Sequence, residues 1–191
     1  NAKWKEQTIK NTSKQQFAIE FECEFLGSVD TLIAASKLKS LVYEQPVEQN
    51  GKLSVYERPY PKRDYIVTVD VARGVGKDYS AFIVADITEF PYKIVATYRD
   101  NEIKPMLFPS VIEEVATAYN NAYVLCEVND IGDQVASILF YDLEYENLLM
   151  VAMRGRAGQI VGSGFSGVKT QLGVKMSTTT KKVGCSNLKT L

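Results

Sequence analysis

Histidine is missing from all 191 residues. Without it the chain cannot assemble a Ser-His-Asp or Cys-His nucleophile of its own, nor a zinc site that uses imidazole. Cysteine is scarce. Cys23, Cys126 and Cys185 are odd in number and unrelated in spacing, which argues against a disulfide framework and suits a reducing compartment. No apolar run approaches the roughly 20 residues that cross a bilayer, and the opening Asn1-Ala2-Lys3-Trp4-Lys5 is no signal peptide. A soluble, unexported chain with no membrane partner is therefore expected. With imidazole absent and thiols few, any bound metal is expected to be a hard cation held by carboxylate oxygens.

Acid is also missing from one end. Residues 151–191 contain Arg154, Arg156, Lys169, Lys175, Lys181, Lys182 and Lys189, and no Asp or Glu. The first 150 residues hold the other 15 basic side chains and all 23 acidic ones, so a net charge of −1 conceals a basic end on an acidic body. Such a chain can bind a polyanion at one place and cations at another; the plainer alternative is a solvated basic face. The segment after 153 is rich in Gly, Ser and Thr, and spaced basic residues in such sequence suit a phosphate backbone. Aromatics there are limited to Phe165, which disfavours a stacking platform for single strands.

Along the chain, residues 1–27 read as a helical arm, with Phe17, Phe21 and Phe25 four apart and Gly27 as the stop. Ser28–Ser40 reads as a second short helix. Residues 44–63, with Gly51, Pro46, Pro59 and Pro61, read as a linker or irregular loop, so that the compact domain begins near Tyr65. Tyr65–Ala72 and Tyr79–Ile87 read as two strands of a hairpin, and Lys93–Arg99 as a third strand. A helix is expected after Pro109, a fourth strand over Tyr123–Val128, a helix over Gly132–Tyr145 and a fifth strand over Leu148–Met153. Residues 154–177 read as a flexible or hairpin-like excursion, and Thr178–Leu191 as a last helix with Thr at its cap. A three-strand meander followed by helix, strand, helix and strand is an α/β mixed sheet. Its first crossover can lay the fourth strand parallel to the first.

Two acids stand out. Asp70 interrupts an apolar strand, where a buried carboxylate is costly unless paired or metal-bound; the alternative is an Asp that merely ends a strand and begins a turn. Glu127 occupies the same kind of place on the strand expected beside it. Two carboxylates aimed at one spot repel, and a divalent cation is the common remedy. Asp78, across the hairpin turn, is a weaker candidate ligand, and Asp130 reads as a helix cap. Gly74-Val75-Gly76-Lys77 is not a phosphate-binding loop. Val71 stands where the first glycine belongs, Asp78 follows the lysine, and a strand rather than a helix comes next. Lys77 can still meet a phosphate as a point charge.

Tyr65–Asp86 (YIVTVDVARGVGKDYSAFIVAD), Tyr123–Gly132 (YVLCEVNDIG) and Lys181–Leu191 (KKVGCSNLKTL) resemble the ribonuclease H-like nuclease domain of the large terminase subunit of tailed bacteriophages. Gln16–Ile33 (QFAIEFECEFLGSVDTLI) is similar to the junction between that family's packaging ATPase and its nuclease. The likeness is greatest to the myovirus branch that packages by a headful mechanism. It implies residues 1–27 as the end of the ATPase-domain arm, 28–64 as linker and start of the nuclease domain, and 65–191 as the nuclease domain itself.

The activity implied is a Mg²⁺- or Mn²⁺-dependent endonuclease that cuts concatemeric double-stranded DNA at the start and end of packaging. Asp70 matches the family's first-strand metal-binding acid, Glu127 its second, and Asp78 an acidic position in the hairpin. The family's third acid lies on a late helix with no counterpart in this chain, so either the domain is expected to lack its C-terminal part or the third ligand comes from elsewhere. DNA is expected at Arg154, Arg156, Lys169, Lys175, Lys181 and Lys182, and more weakly at Lys77. The implied partners are the terminase ATPase domain of the same full-length chain, the portal and the small terminase subunit, in the cytoplasm of an infected bacterium. Two other readings stay open. One is a non-catalytic DNA-binding clamp of the same fold. The other is an actin-like phosphate-binding ATPase domain, which would need a second related domain.

Overall fold

The β-branched run Tyr65–Asp70 forms β3, and everything that positions the two acids is built outward from it. In this computed structural model the described residues are 2–11, 33, 37, 40–152, 160–161 and 170–190. The stripe Phe17, Phe21, Phe25 and nearly all of Ser28–Ser40 lie outside them, as do Arg154, Arg156 and Lys169. The chain divides into two units, residues 1–43 with 185–191, and residues 44–184. Of the first, helix α1 (Ala2–Asn11) is described, and within it the Thr8 hydroxyl donates to the Trp4 carbonyl at 2.8 Å.

The second unit carries a six-stranded sheet of order β1-β2-β5-β4-β3-β6. Its strands are β1 (Glu48–Asn50), β2 (Leu53–Val55), β3, β4 (Ser80–Asp86), β5 (Lys93–Asp100) and β6 (Tyr123–Cys126). The meander β3-β4-β5 is antiparallel, and β6 runs parallel to β3 with Val69 opposite Cys126. The stretch read as irregular loop, 44–63, instead contains the β1-β2 hairpin, which pairs with β5 at the sheet edge. Glu-Gln-Asn carries no strand signature; a neighbouring strand's open hydrogen-bonding edge recruits it.

The alternation of β3 is regular. Tyr65, Val67 and Val69 are buried, while Ile66, Thr68 and Asp70 face the other side. On the buried face lies α2 (Phe108–Ala118), with Pro109 in its first turn, where a missing N–H costs nothing. It lays Phe108, Ile112, Val115 and Ala116 against Phe82, Val84 and Tyr98. Phe82 stacks on Tyr98 at 5.0 Å between centroids. Each fully buried side chain of this size contributes about 1.5–3 kcal/mol. The opposite face of β3, β4 and β6 is the more open one.

The helix expected over Gly132–Tyr145 is shorter. It runs as α3 (Gly132–Ser137) and then widens into a π-helical turn, Ile138–Asp142. Beyond β6, Val124 exchanges hydrogen bonds with Asn147 (2.9 Å) and Leu149 (2.8 Å), so β6 is no free edge. The expected fifth strand is β7 (Met150–Ala152), which pairs with β8 (Ile160–Val161) and β9 (Thr170–Leu172) in a small antiparallel sheet. Within the 154–177 excursion, Ile160–Val161 and Thr170–Leu172 are thus strands. Gly173, at φ +72°, then passes so close to the Cys126 carbonyl that a Cβ would collide with it. Helix α4 (Thr178–Thr190) follows, capped not by Thr but by Ser177, whose hydroxyl accepts from the Thr180 amide at 3.1 Å.

Candidate active site

Asp70 ends β3 on the open face. One position past β6, the Glu127 amide donates to the Val69 carbonyl at 2.9 Å, which sets the glutamate beside Asp70. The parallel register and the period-2 alternation therefore send both carboxylates to the same face of adjacent strands. They line one depression of about 420 Å³ whose walls include Thr68, Ile83, Leu125 and Met176. Glu127 is half-buried, and its carboxyl is held above the usual range by burial first and by the Asp70 charge second, with the Lys181 ammonium opposing both. Asp70 is exposed rather than buried, because it stands at the strand's end on the uncovered face. Its strand-end position leaves it wet while the register still pairs it with Glu127.

The backbone behind Glu127 is tight. Gly132 approaches the Glu127 carbonyl so closely that any Cβ would collide with it. Cys126, on the buried face, has its thiol pushed up to about 12 by burial, with the Glu127 and Asp70 charges adding to the effect. It lies on the face opposite the two carboxylates, so the donors of this site are oxygens. Among the described residues no three of His, Cys, Asp and Glu gather into a cation-holding group. Asp78 lines a second depression, about 460 Å³, with Asp70, Arg73, Lys77 and Tyr79.

Asp130 does not cap α3. The helix begins after Ile131 with no side-chain cap, while Asp130, at φ +51°, receives Arg73. The Arg73 Nη2 lies 2.8 Å from each Asp130 carboxylate oxygen and Nε 3.0 Å from Oδ2. The glycine turn is pinned from the far side, where the Lys104 ammonium donates to the Gly74 carbonyl at 2.7 Å and the Gly76 amide to that of Asn101 at 2.9 Å. Lys77 is exposed on that turn.

Of the expected DNA contacts, Lys175, Lys181 and Lys182 are described and exposed. The Asn129 side chain fixes where they start. Its Nδ2 donates to the Met176 carbonyl (2.8 Å), and its Oδ1 accepts from the Met176 amide (2.7 Å). This two-way clasp joins the loop after Glu127 to the chain entering α4. Sequence reasoning missed Arg99, which the meander brings onto the open face in the same cross-strand row as Asp70. The alternation of Lys93–Asp100 was its one local sign.

A meander of three antiparallel strands, a parallel strand laid against the first by a helical crossover, and acids at the adjoining strand ends define the ribonuclease H-like class. The chain belongs to the family of terminase RNaseH-like domains, which it matches over residues 67–191. It is similar to the large terminase nuclease of the thermophilic phage G20c. The cobalt-bound crystal structure of that nuclease is 25% identical, with a TM-score of 0.54 over 77% of this chain and 63% of that one. The magnesium-bound structure is 24% identical at the same TM-score and coverage. The chain thus spans 63% of the length of these relatives.

Proposed function

We propose that this chain is the phosphodiester-cleaving part of a phage DNA-packaging terminase, a divalent-metal-dependent endonuclease acting on concatemeric double-stranded DNA at the start and end of packaging. The observation that carries this reading is the Asp70–Glu127 pair, two carboxylates on one face of adjacent parallel strands at matched register. The donor set fits Mg²⁺ or Mn²⁺. It is all oxygen, it carries like-charge repulsion felt at Glu127, and Mg²⁺ is commonly held by one or two carboxylates together with substrate phosphate. That the related G20c nuclease was crystallised with cobalt supports a divalent ion. The chemistry such an ion supplies is polarisation of the phosphoryl oxygens and acidification of the attacking water. Asp70 and Glu127 would hold it. Lys181 moderates the charge at Glu127, and Lys175 and Lys182 stand nearby in sequence as backbone-neutralising cations, with Arg154, Arg156, Lys169 and Lys77 as further contacts. Asp78 is an additional acid on the adjoining rim. In the full-length protein the partners would be the packaging ATPase, the portal and the small terminase subunit, within the infected cell.

The test is nicking and linearisation of supercoiled plasmid by the full-length protein with Mg²⁺, Mn²⁺ or EDTA. Cleavage that needs the ion and disappears in Asp70→Asn and Glu127→Gln supports the reading. Metal-independent cleavage, or full activity in either variant, overturns it.

A further inference from the structure

The described arginines divide unevenly. Arg58 is paired with Glu48 at 3.2 Å, Arg63 with Asp86 at 2.6 Å and Arg73 with Asp130 at 2.8 Å. Among the described residues no carboxylate pairs with Arg99. Its guanidinium carbon instead lies 3.7 Å over the centre of the Tyr79 ring. The neighbouring Asp100 lies across from buried Ser80, on the other face, and accepts from the amides of Glu102 (2.8 Å) and Ile103 (3.3 Å). Arg99 thus keeps an uncompensated charge in a held position. A cation–π stack fixes a guanidinium without satisfying its N–H donors, which stay free for an anion.

The register then says where that charge lies. Asp70 is directly across from Ala81, and Ala81 directly across from Arg99. Arg99 is therefore two strands from Asp70 on the same open face, roughly 10 Å at ordinary strand spacing. Ala81, a small side chain, holds the intervening position in that row. Tyr79 also lines the second depression, together with Asp70, so the ring that holds Arg99 stands in the wall of that depression.

We propose that Arg99, held over Tyr79, binds a backbone phosphate of the DNA a short way along the strand from the one held at Asp70 and Glu127, and so sets the strand's path across the sheet. A phosphodiester suits the fork of a guanidinium, and contact to phosphate positions the duplex without reading its sequence. The inference rests on the nuclease reading, but its test does not need cleavage.

The experiment measures binding of a fluorescent duplex to this chain in EDTA across a salt series, beside melting curves. Arg99→Gln is expected to bind about tenfold more weakly and to flatten the salt dependence by about 0.9 in log–log slope. Arg58→Gln removes the same charge from a paired surface arginine and is expected to change neither. Arg99→Lys should keep the slope. Tyr79→Leu should keep the slope and lose part of the affinity, since the charge remains but is no longer held. Unchanged binding in a folded Arg99→Gln, an equal loss in Arg58→Gln, or no duplex binding by the wild-type chain overturns the proposal. If Arg99→Gln does not fold, Tyr79→Leu decides, and wild-type affinity there overturns it. Plasmid cleavage read in parallel tests the nuclease reading separately.

Discussion

Arg73 stands three positions after Asp70 and Asp130 three after Glu127, and the two are joined by a two-pronged ion pair at 2.8–3.0 Å. The pair ties the loop leaving one acid-bearing strand to the loop leaving the other. Both side chains are well exposed, at 68% and 64%, so the bond adds little to global stability, on the order of 0–1 kcal/mol. Its effect is on the relative placement of two strand ends. Asp130→Asn, which keeps the residue's tolerance of φ +51°, is expected to leave the melting temperature nearly unchanged and to lower cleavage several-fold. Plasmid cleavage at the wild-type rate would show that the two loops hold their acids without the tie.

Asp70→Asn is expected to abolish cleavage without weakening the metal-free fold. It keeps the shape and removes one of two repelling charges. The Glu127 carboxyl, held up by burial and by Asp70, should then titrate lower than in the wild type, yet still above the ordinary range because burial is the larger cause. Carboxyl NMR titration of the two proteins reads this. An unmoved Glu127 would mean that the acids do not feel each other.

The acid pair was legible because a lone Asp in Tyr65–Asp70 and a lone Glu after Tyr123–Cys126 each break an apolar strand, and a helical crossover predicts parallel neighbours. What was not legible depends on contacts distant in sequence. Glu48–Asn50 became a strand only because β2, itself paired with β5, offered it an edge. Asp130 reads locally as a cap, and its actual partner, Arg73, lies 57 residues away. Arg99 is an ordinary exposed strand residue until the register of β3, β4 and β5 aligns it with Asp70. Gly132 looks like a helix-start glycine, and only the close approach to the Glu127 carbonyl shows why no side chain fits there.

At the other end of β4, Asp86 is nearly buried and bonded to Arg63 at 2.6 Å and to the Thr88 amide at 3.0 Å. Burial alone would raise its carboxyl. The hydroxyl and amide of Thr88 and the guanidinium of Arg63 outweigh it and hold the group below the usual range. A depressed carboxyl contributes stability that is fully present above its unfolded value, about 3.9, and is lost as pH falls through the folded one. Glu127 has the opposite sign. Its raised carboxyl destabilises the metal-free protein at neutral pH, and that penalty fades as pH falls through its folded value. Metal-free melting temperatures are therefore expected to rise slightly on mild acidification and then to fall below about pH 4. Asp86→Asn should flatten the fall and leave the rise, and Glu127→Gln should do the reverse. Identical profiles for wild type and Asp86→Asn would remove the Arg63 pair from the acid response.

The lysines at the start of α4 separate a charge that serves the acids from a charge that serves only the duplex. Lys181 opposes the upward shift of Glu127, whereas Lys182, its exposed neighbour, has no part in that shift. Lys181→Gln is therefore expected to raise the Glu127 titration further, and Lys182→Gln to leave it in place. For duplex binding the two should behave alike. Each neutralised phosphate contact removes about 0.9 from the log–log salt slope, whatever the DNA sequence, because contacts to the backbone carry no base information. Combining both with Lys175→Gln should reduce the slope further, toward the sum of the separate losses. Carboxyl titration and salt-dependent binding thus read different properties of the same residues. If the triple variant bound duplex with the wild-type slope, Lys175, Lys181 and Lys182 would be a solvated face, and the DNA path would lie elsewhere, nearer Arg99 and Lys77.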